Sequence, residues 1–285
     1  MKSIILFLLS IFGIVFPNSH QSESISRFSL NTNLPIVVNS PQPTQSPIAS
    51  PTPKPLTFEE MNKLYGPCIR LPILMYHHVQ TKESAESKKQ TSLSVYTNVF
   101  KEQMEYLKQK GYKTVEPSDL ISFFENGIKP QAKSIYLTFD DAYADFYTDA
   151  YPILKGLDFK ATVFVPTGLV GNPDYLNWDQ ITNMKDGGIY FANHTWSHRA
   201  VVTDTITIQK EIETAETQLN ERSLDSLKIF AYPYGSSNTS SENYLETTGY
   251  RYALSTKSGS VLCSKKRFDL PRIIIGNRSM NSYGI

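Results

Sequence analysis

The chain has 285 residues, of which 40% are hydrophobic and 19% charged, as expected of a globular protein with a sizeable core. Its formal net charge is +1, and Lys and Arg are scattered apart from a small cluster at Lys265–Arg267 that suits a solvated turn. Without a basic stripe there is no case for a polyanionic partner, and nucleic acid is excluded as the expected ligand.

Lys2 precedes an apolar run from Ile4 to Phe16, diluted only by Ser10 and Gly13. The run is shorter than the ~20 residues of a relaxed membrane span and suits the apolar region of an export signal. No Ala-x-Ala pattern follows it, so residues 1–17 read as either a cleaved signal or a retained membrane anchor. The first cysteine is Cys68, too distant for a lipid-modified terminus. Residues 18–57 are polar and Pro-rich, with Pro41-Gln42-Pro43 and Ser50-Pro51-Thr52-Pro53-Lys54-Pro55. Such a stretch buries too little apolar surface to fold and reads as an extended linker. Residues 58–285 then form one folded domain.

Within that domain the pattern alternates. Ile69 to His77 reads as a strand, and the charged, aperiodic Thr81–Gln90 as a loop. Thr97–Lys110 has Phe100, Met104 and Leu107 on one helical face, with Gly111 as a stop. Strands are predicted at Ser134–Phe139, Ala161–Val165, Ile189–Ala192, Ile229–Ala231, Tyr252–Ser255 and Arg272–Ile275. Helices are predicted at Asp145–Leu157, Trp178–Lys185, Thr205–Arg222 and Glu242–Thr248. The alternation argues for an α/β fold on a parallel sheet, open or closed into a barrel. In either form, functional groups belong at the C-terminal ends of the strands. Cys68 and Cys263, the two cysteines, each precede a predicted strand, and in an exported protein they could form one disulfide.

Two clusters sit at strand exits. Leu137-Thr138-Phe139 runs into Asp140-Asp141, adjacent carboxylates that a divalent ion would keep from repelling each other. Asn193-His194-Thr195-Trp196-Ser197-His198 follows another strand and holds two of the five His residues, four apart. Two imidazoles and one carboxylate leave positions open for water and substrate, the usual catalytic metal arrangement. Taken singly, a helix cap explains the Asp pair and chance explains the His pair. Jointly, at two strand exits of one sheet, they favour a metal.

Thr138-Phe139-Asp140-Asp141, His194-x-x-x-His198 and Tyr232-Pro233-Tyr234-Gly235, in that order, resemble the polysaccharide deacetylase (NodB-homology) family. The resemblance spans about Leu71 to Gly276. Met75-Tyr76-His77-His78-Val79 and Tyr175-Leu176-Asn177-Trp178-Asp179 look like the branch that deacetylates poly-β-1,6-N-acetylglucosamine exopolysaccharides. It implies a distorted (β/α) barrel and a divalent ion, Zn²⁺ foremost with Co²⁺, Ni²⁺ or Fe²⁺ as substitutes, held by Asp141, His194 and His198. It also implies Asp140 as general base, the backbone N–H of Tyr234 at the oxyanion, and hydrolysis of N-acetyl groups by metal-activated water. The expected partner is an acetylated amino-sugar polysaccharide, met by a monomer outside the cell or tethered at its surface.

The chain departs from the family pattern in three places. Ala142 replaces the Gly that often follows the Asp pair. The Arg that frequently precedes the Pro-Tyr motif is absent near Phe230-Ala231, and Arg272 could take its place, although a surface salt bridge would explain Arg272 almost as well. No His follows His198, so the acid must come from elsewhere, and the first strand of this branch nominates His77. Strand alternation turns His77 and His78 to opposite sides. Trp178 and Trp196 could line a sugar site, with core packing as the alternative for each. Two other readings stay open: a catalytically silent carbohydrate-binding protein, and the same fold acting on peptidoglycan, chitin or O-acetylated xylan.

Overall fold

The computed structural model describes residues 54–285; the expected signal segment and nearly all of the linker lie outside the described residues. Seven parallel strands form the centre: β1 (Ile73–Tyr76), β2 (Ser134–Phe139), β3 (Ala161–Val165), β4 (Ile189–Asn193), β5 (Ile229–Ala231), β6 (Tyr252–Ser258) and β7 (Leu270–Ile274). Each pairs with the next in chain order, and β7 returns to β1 through Ile273↔Leu74 and Ile274↔Met75. The sheet therefore closes into a barrel, settling the choice that alternation alone left open.

The strands are apolar almost throughout because both faces are covered. Ile73, Tyr136, Phe164, Ala192, Ile229, Tyr252 and Leu270, one from each strand, meet in the barrel interior. Their neighbours in sequence, among them Leu74, Leu137, Val163 and Phe191, pack outward against the helices, including Phe100, Met104 and Leu107 of the helix Thr97–Gln109. The period of two along a strand produces these two layers. Inside the lower barrel, the Tyr136 hydroxyl lies 2.7 Å from Thr162 Oγ1 and 3.1 Å from the Tyr252 hydroxyl, so the buried phenols are satisfied.

Several elements differ from the sequence reading. The first predicted strand breaks at Leu71-Pro72 into Cys68–Arg70 and β1. Pro72 has no N–H for a ladder, and its ring disfavours a continuous central strand. Thr81–Gln90 is not wholly loop: Thr81 caps a short helix, Lys82–Ser87, by accepting from Ser84 N–H. The segment read as one helix from Asp145 begins with a π-helical turn, Phe146–Ala150, before the helix Tyr151–Gly156.

Below β1, Cys68–Arg70 pairs antiparallel with Val261–Cys263, in a register that sets Cys68 opposite Cys263. The two cysteines are bonded. A capped helix, Phe58–Tyr65, precedes this ladder; Phe58 lines a cavity of about 420 Å³ together with Pro72 and Ser134, at the starts of β1 and β2. This end of the barrel is the floor, and the strand C-termini form the mouth.

Candidate active site

The mouth collects the side chains singled out by sequence. β2 ends at Phe139 and delivers Asp140 and Asp141; β4 ends at Asn193 and delivers His194 and His198. Asp141 Oδ1 lies 3.3 Å from His194 Nε2 and 3.0 Å from His198 Nε2. One ligand atom from each of the three residues lies within 4.8 Å of the other two. The distances are short, yet Asp141 Oδ1 is a buried oxygen without a partner in hydrogen-bonding geometry. An oxygen and two ring nitrogens that approach without bonding one another are aimed at a common point, as metal ligands are. The donor set of two imidazoles and a carboxylate suits a divalent cation with open positions.

Burial alone would raise the Asp141 carboxyl, but the close imidazoles reverse this and hold it far below the usual carboxylate range. His194 shows the converse: burial lowers its ring, and Asp141 together with the charge on Asp140 brings it above its ordinary value. His194 Nδ1 lies 2.7 Å from the Ala231 carbonyl, which fixes this nitrogen as the donor and leaves Nε2 free to bind.

Asp140 is 3% exposed and bonded to Arg272, which is fully buried. The two terminal guanidinium nitrogens, Nη1 and Nη2, donate at 2.7 Å, one to each carboxylate oxygen. Nε of Arg272 donates to the Ser255 carbonyl at 2.9 Å, so the fork is itself fixed in direction. Arg272 is thus no surface salt bridge. Burial would raise the Asp140 carboxyl, and the Arg272 charge and bonds outweigh it and keep it lowered.

His77 and His78 leave β1 in different directions. His77 is half-buried; burial lowers its ring, while the charges of Asp140 and Asp141 pull it upward, so it lies within their field at the mouth. His78 is buried, with Nδ1 2.5 Å from Asp145 Oδ2 and its ring stacked on Tyr143 at 3.6 Å between centroids. Tyr234 follows β5 and lies edge-on to the His198 ring at 4.8 Å. Its φ of 60° is left-handed, and Gly235 beside it has φ 70°. A Cβ on Gly235 would come within 2.5 Å of the Thr256 backbone nitrogen, so only glycine fits and the turn carrying Tyr234 is held in place.

Left-handed conformations at residues other than glycine recur here: Asp141 (φ 72°), Ala142 (54°), Thr195 (68°), His198 (59°) and Tyr234 (60°). Strain of this kind gathers at functional sites. Ala142 adopts the left-handed turn that glycine would take freely, so the departure from the family pattern leaves the turn intact.

The family model for polysaccharide deacetylase matches residues 127–253. A Bacillus subtilis (strain 168) protein named as the polysaccharide deacetylase YxkH is 30% identical over 206 residues, 72% of this chain and 71% of its own length. The chain belongs to the polysaccharide deacetylase family. The poly-beta-1,6-N-acetyl-D-glucosamine N-deacetylase of Staphylococcus aureus (strain MSSA476) is 26% identical to this deacetylase over 249 residues, 79% of this chain and 83% of that one. Among solved structures, the Streptococcus pyogenes deacetylase PplD in complex with acetate superposes with a TM-score of 0.69 at 30% identity, covering 74% of this chain and 94% of that one. The deacetylase is thus a hydrolase of the family's (β/α) barrel type.

The two tryptophans sit differently in the deacetylase. Trp178 opens the helix Trp178–Lys185 and packs against the outer core, with the Arg222 guanidinium 4.0 Å above its ring. Trp196 lies in the His loop, close to Gly168 and beneath Lys210. Sequence reasoning missed Tyr143 and Tyr175, whose half-buried rings are 5.2 Å apart beside Asp141. Their place next to the Asp pair and the Tyr-Leu-Asn-Trp phrase was the available signal. No helix among the described residues is long and apolar enough to cross a membrane.

Proposed function

We propose that the protein is a metal-dependent N-deacetylase of poly-β-1,6-N-acetylglucosamine exopolysaccharide, exported by its N-terminal segment and working outside the cell or tethered at its surface. The observation that carries the reading is the convergence of Asp141, His194 and His198 beside a second carboxylate locked by Arg272. The polymer is supported by the S. aureus relative, which aligns over most of both chains.

Asp141, His194 and His198 would hold the cation, Zn²⁺ foremost given two imidazoles and one carboxylate. When bound, such an ion acts as a Lewis acid and makes water nucleophilic near neutral pH. Asp140, ionised and aimed by Arg272, accepts the proton of the attacking water. The Tyr234 N–H donates to the acetyl oxygen as charge develops on it, the kind of interaction that contributes most to such rates. His77, which lies in the field of Asp140 and Asp141 at the mouth, protonates the departing amine. The C–N bond breaks and a C–O bond forms; the water oxygen ends in acetate, and its two protons, passed through Asp140 and His77, balance the freed glucosamine as its ammonium.

The test is acetate release from β-1,6-linked N-acetylglucosamine oligomers, with chitin and peptidoglycan fragments and acetylated xylan alongside. EDTA should abolish release and Zn²⁺ restore it. Asp140→Asn and His77→Ala should each lose at least about 100-fold in turnover while still binding the metal. Release undiminished by chelation, or confined to another polymer, would overturn the reading.

A further inference from the structure

The two imidazoles of the site are oriented by different means. The Ala231 carbonyl aims the His194 ring through its Nδ1. Among the described residues, the second ring nitrogen of His198 meets no such partner, so the direction of His198 depends on the backbone that carries it. That backbone is left-handed at both Thr195 and His198, a state that lasts only where surrounding bonds enforce it.

The enforcing bonds come from the helix Thr205–Asn220. Glu211, 4% exposed, accepts from Ser197 N–H through Oε2 at 2.8 Å and from the Ser197 hydroxyl through Oε1 at 2.7 Å. Its backbone carbonyl accepts from Trp196 N–H at 2.9 Å. On the other flank, Asn193 Nδ2 donates to the Ile212 carbonyl at 3.0 Å, and Asn193 Oδ1 accepts from Thr195 N–H at 2.8 Å. One turn of this helix therefore grips the loop just before His194 and again between His194 and His198. Among the described residues no cationic side chain reaches the Glu211 carboxylate to form an ion pair. A buried carboxylate served only by neutral donors is costly, and a divalent cation nearby would offset that cost through its field.

We propose that Glu211 is a positioning residue for the cation site: through Ser197 it sets His198, and its charge favours the bound ion. The proposal rests on Asp141, His194 and His198 being the ligand set. It is tested on the full chain by competing Zn²⁺ against a chromogenic chelator, by the visible spectrum of the Co²⁺-loaded protein, and by the apoprotein Tm. Glu211→Ala should weaken Zn²⁺ binding about 10–100-fold and shift the Co²⁺ bands. Glu211→Gln keeps the length and an acceptor for Ser197 N–H, and should recover the wild-type spectrum but only part of the affinity. Ser197→Ala should show a smaller loss, and adding it to Glu211→Ala should cost nothing further. Zn²⁺ affinity within twofold of wild type in Glu211→Ala, with an unchanged Co²⁺ spectrum, would overturn the proposal even if Tm falls. Should Glu211→Ala not fold, unchanged affinity in both Glu211→Gln and Ser197→Ala overturns it. A wild-type protein that takes up neither ion overturns the ligand set itself, a result distinct from wild-type binding that Glu211 does not influence.

Discussion

Asp140 and Arg272 are separated by 132 positions in sequence and joined by two parallel bonds in the barrel. The pair is buried, so its value depends on both members being present: removing one partner leaves an uncompensated charge and costs roughly 3–5 kcal/mol. Arg272→Met should therefore lower Tm by roughly 10 °C or more. Arg272→Lys keeps the charge but loses the planar fork, and should retain most of the stability while turnover drops about 100-fold, the scale of a small misplacement of a reacting group. The sign of the pH effect follows from the lowered Asp140 carboxyl. Its contribution to stability is present above the unfolded carboxylate range and is lost as pH falls through the folded value. With Arg272 replaced, that loss should begin at higher pH. Thermal melts against pH, beside kcat for the Lys variant, check this; a Met variant as stable as wild type would show the fork to be dispensable.

Secondary-structure elements differ in how openly the sequence declares them. β3 and β5 were legible residue for residue because a short apolar run between turn signals has no better use than a buried strand. The helix Pro117–Asn126 was missed, although Pro117 at its first turn and left-handed Gly127 at its end are the expected punctuation. Glu211 was illegible for a different reason: on a long helix rich in Thr, Gln, Lys and Glu, a carboxylate looks solvated, and only the three-dimensional return of the His loop buries it. The metal triad was legible because its ligands fall at strand exits, where the local pattern marks both the element and its end. Asp225, at the entry to β5, was equally hidden. It accepts from Tyr190 and from Ile229 N–H through Oδ1, and its other oxygen is unpartnered. Burial raises its carboxyl well above the ordinary value, against the pull of the Ile229 and Tyr190 bonds. A carboxyl raised in the folded state gives its full stabilisation below the unfolded pKa and loses it as pH rises through the folded pKa. Asp225→Asn keeps both bonds and tolerates the left-handed φ of 50°. Its Tm relative to wild type should therefore climb as pH rises above the unfolded carboxylate value of about 4. A difference that stays flat above that value would show Asp225 to be no strained acid.

At the scale of the molecule, sequential pairing of seven strands leaves one seam, where β7 meets β1. Just beneath it the Cys68–Cys263 bond joins the strand leading into β1 to the strand between β6 and β7. The bond spans 195 positions and in the chain-entropy model supplies up to about 5 kcal/mol. Replacing both cysteines by Ser should lower Tm by up to roughly 10–20 °C. Because the bond lies at the floor, the metal-loaded variant should deacetylate within twofold of wild type at 25 °C. Lost turnover at unchanged Tm would instead tie the bond to the chemistry.

The helix Phe58–Tyr65 docks on that same floor, at the pole opposite the chemistry. A label coupled at Thr57, the cap of that helix, would therefore sit at the floor and away from the mouth. The mouth, where Asp141, His194 and His198 gather, is left uncovered by that helix.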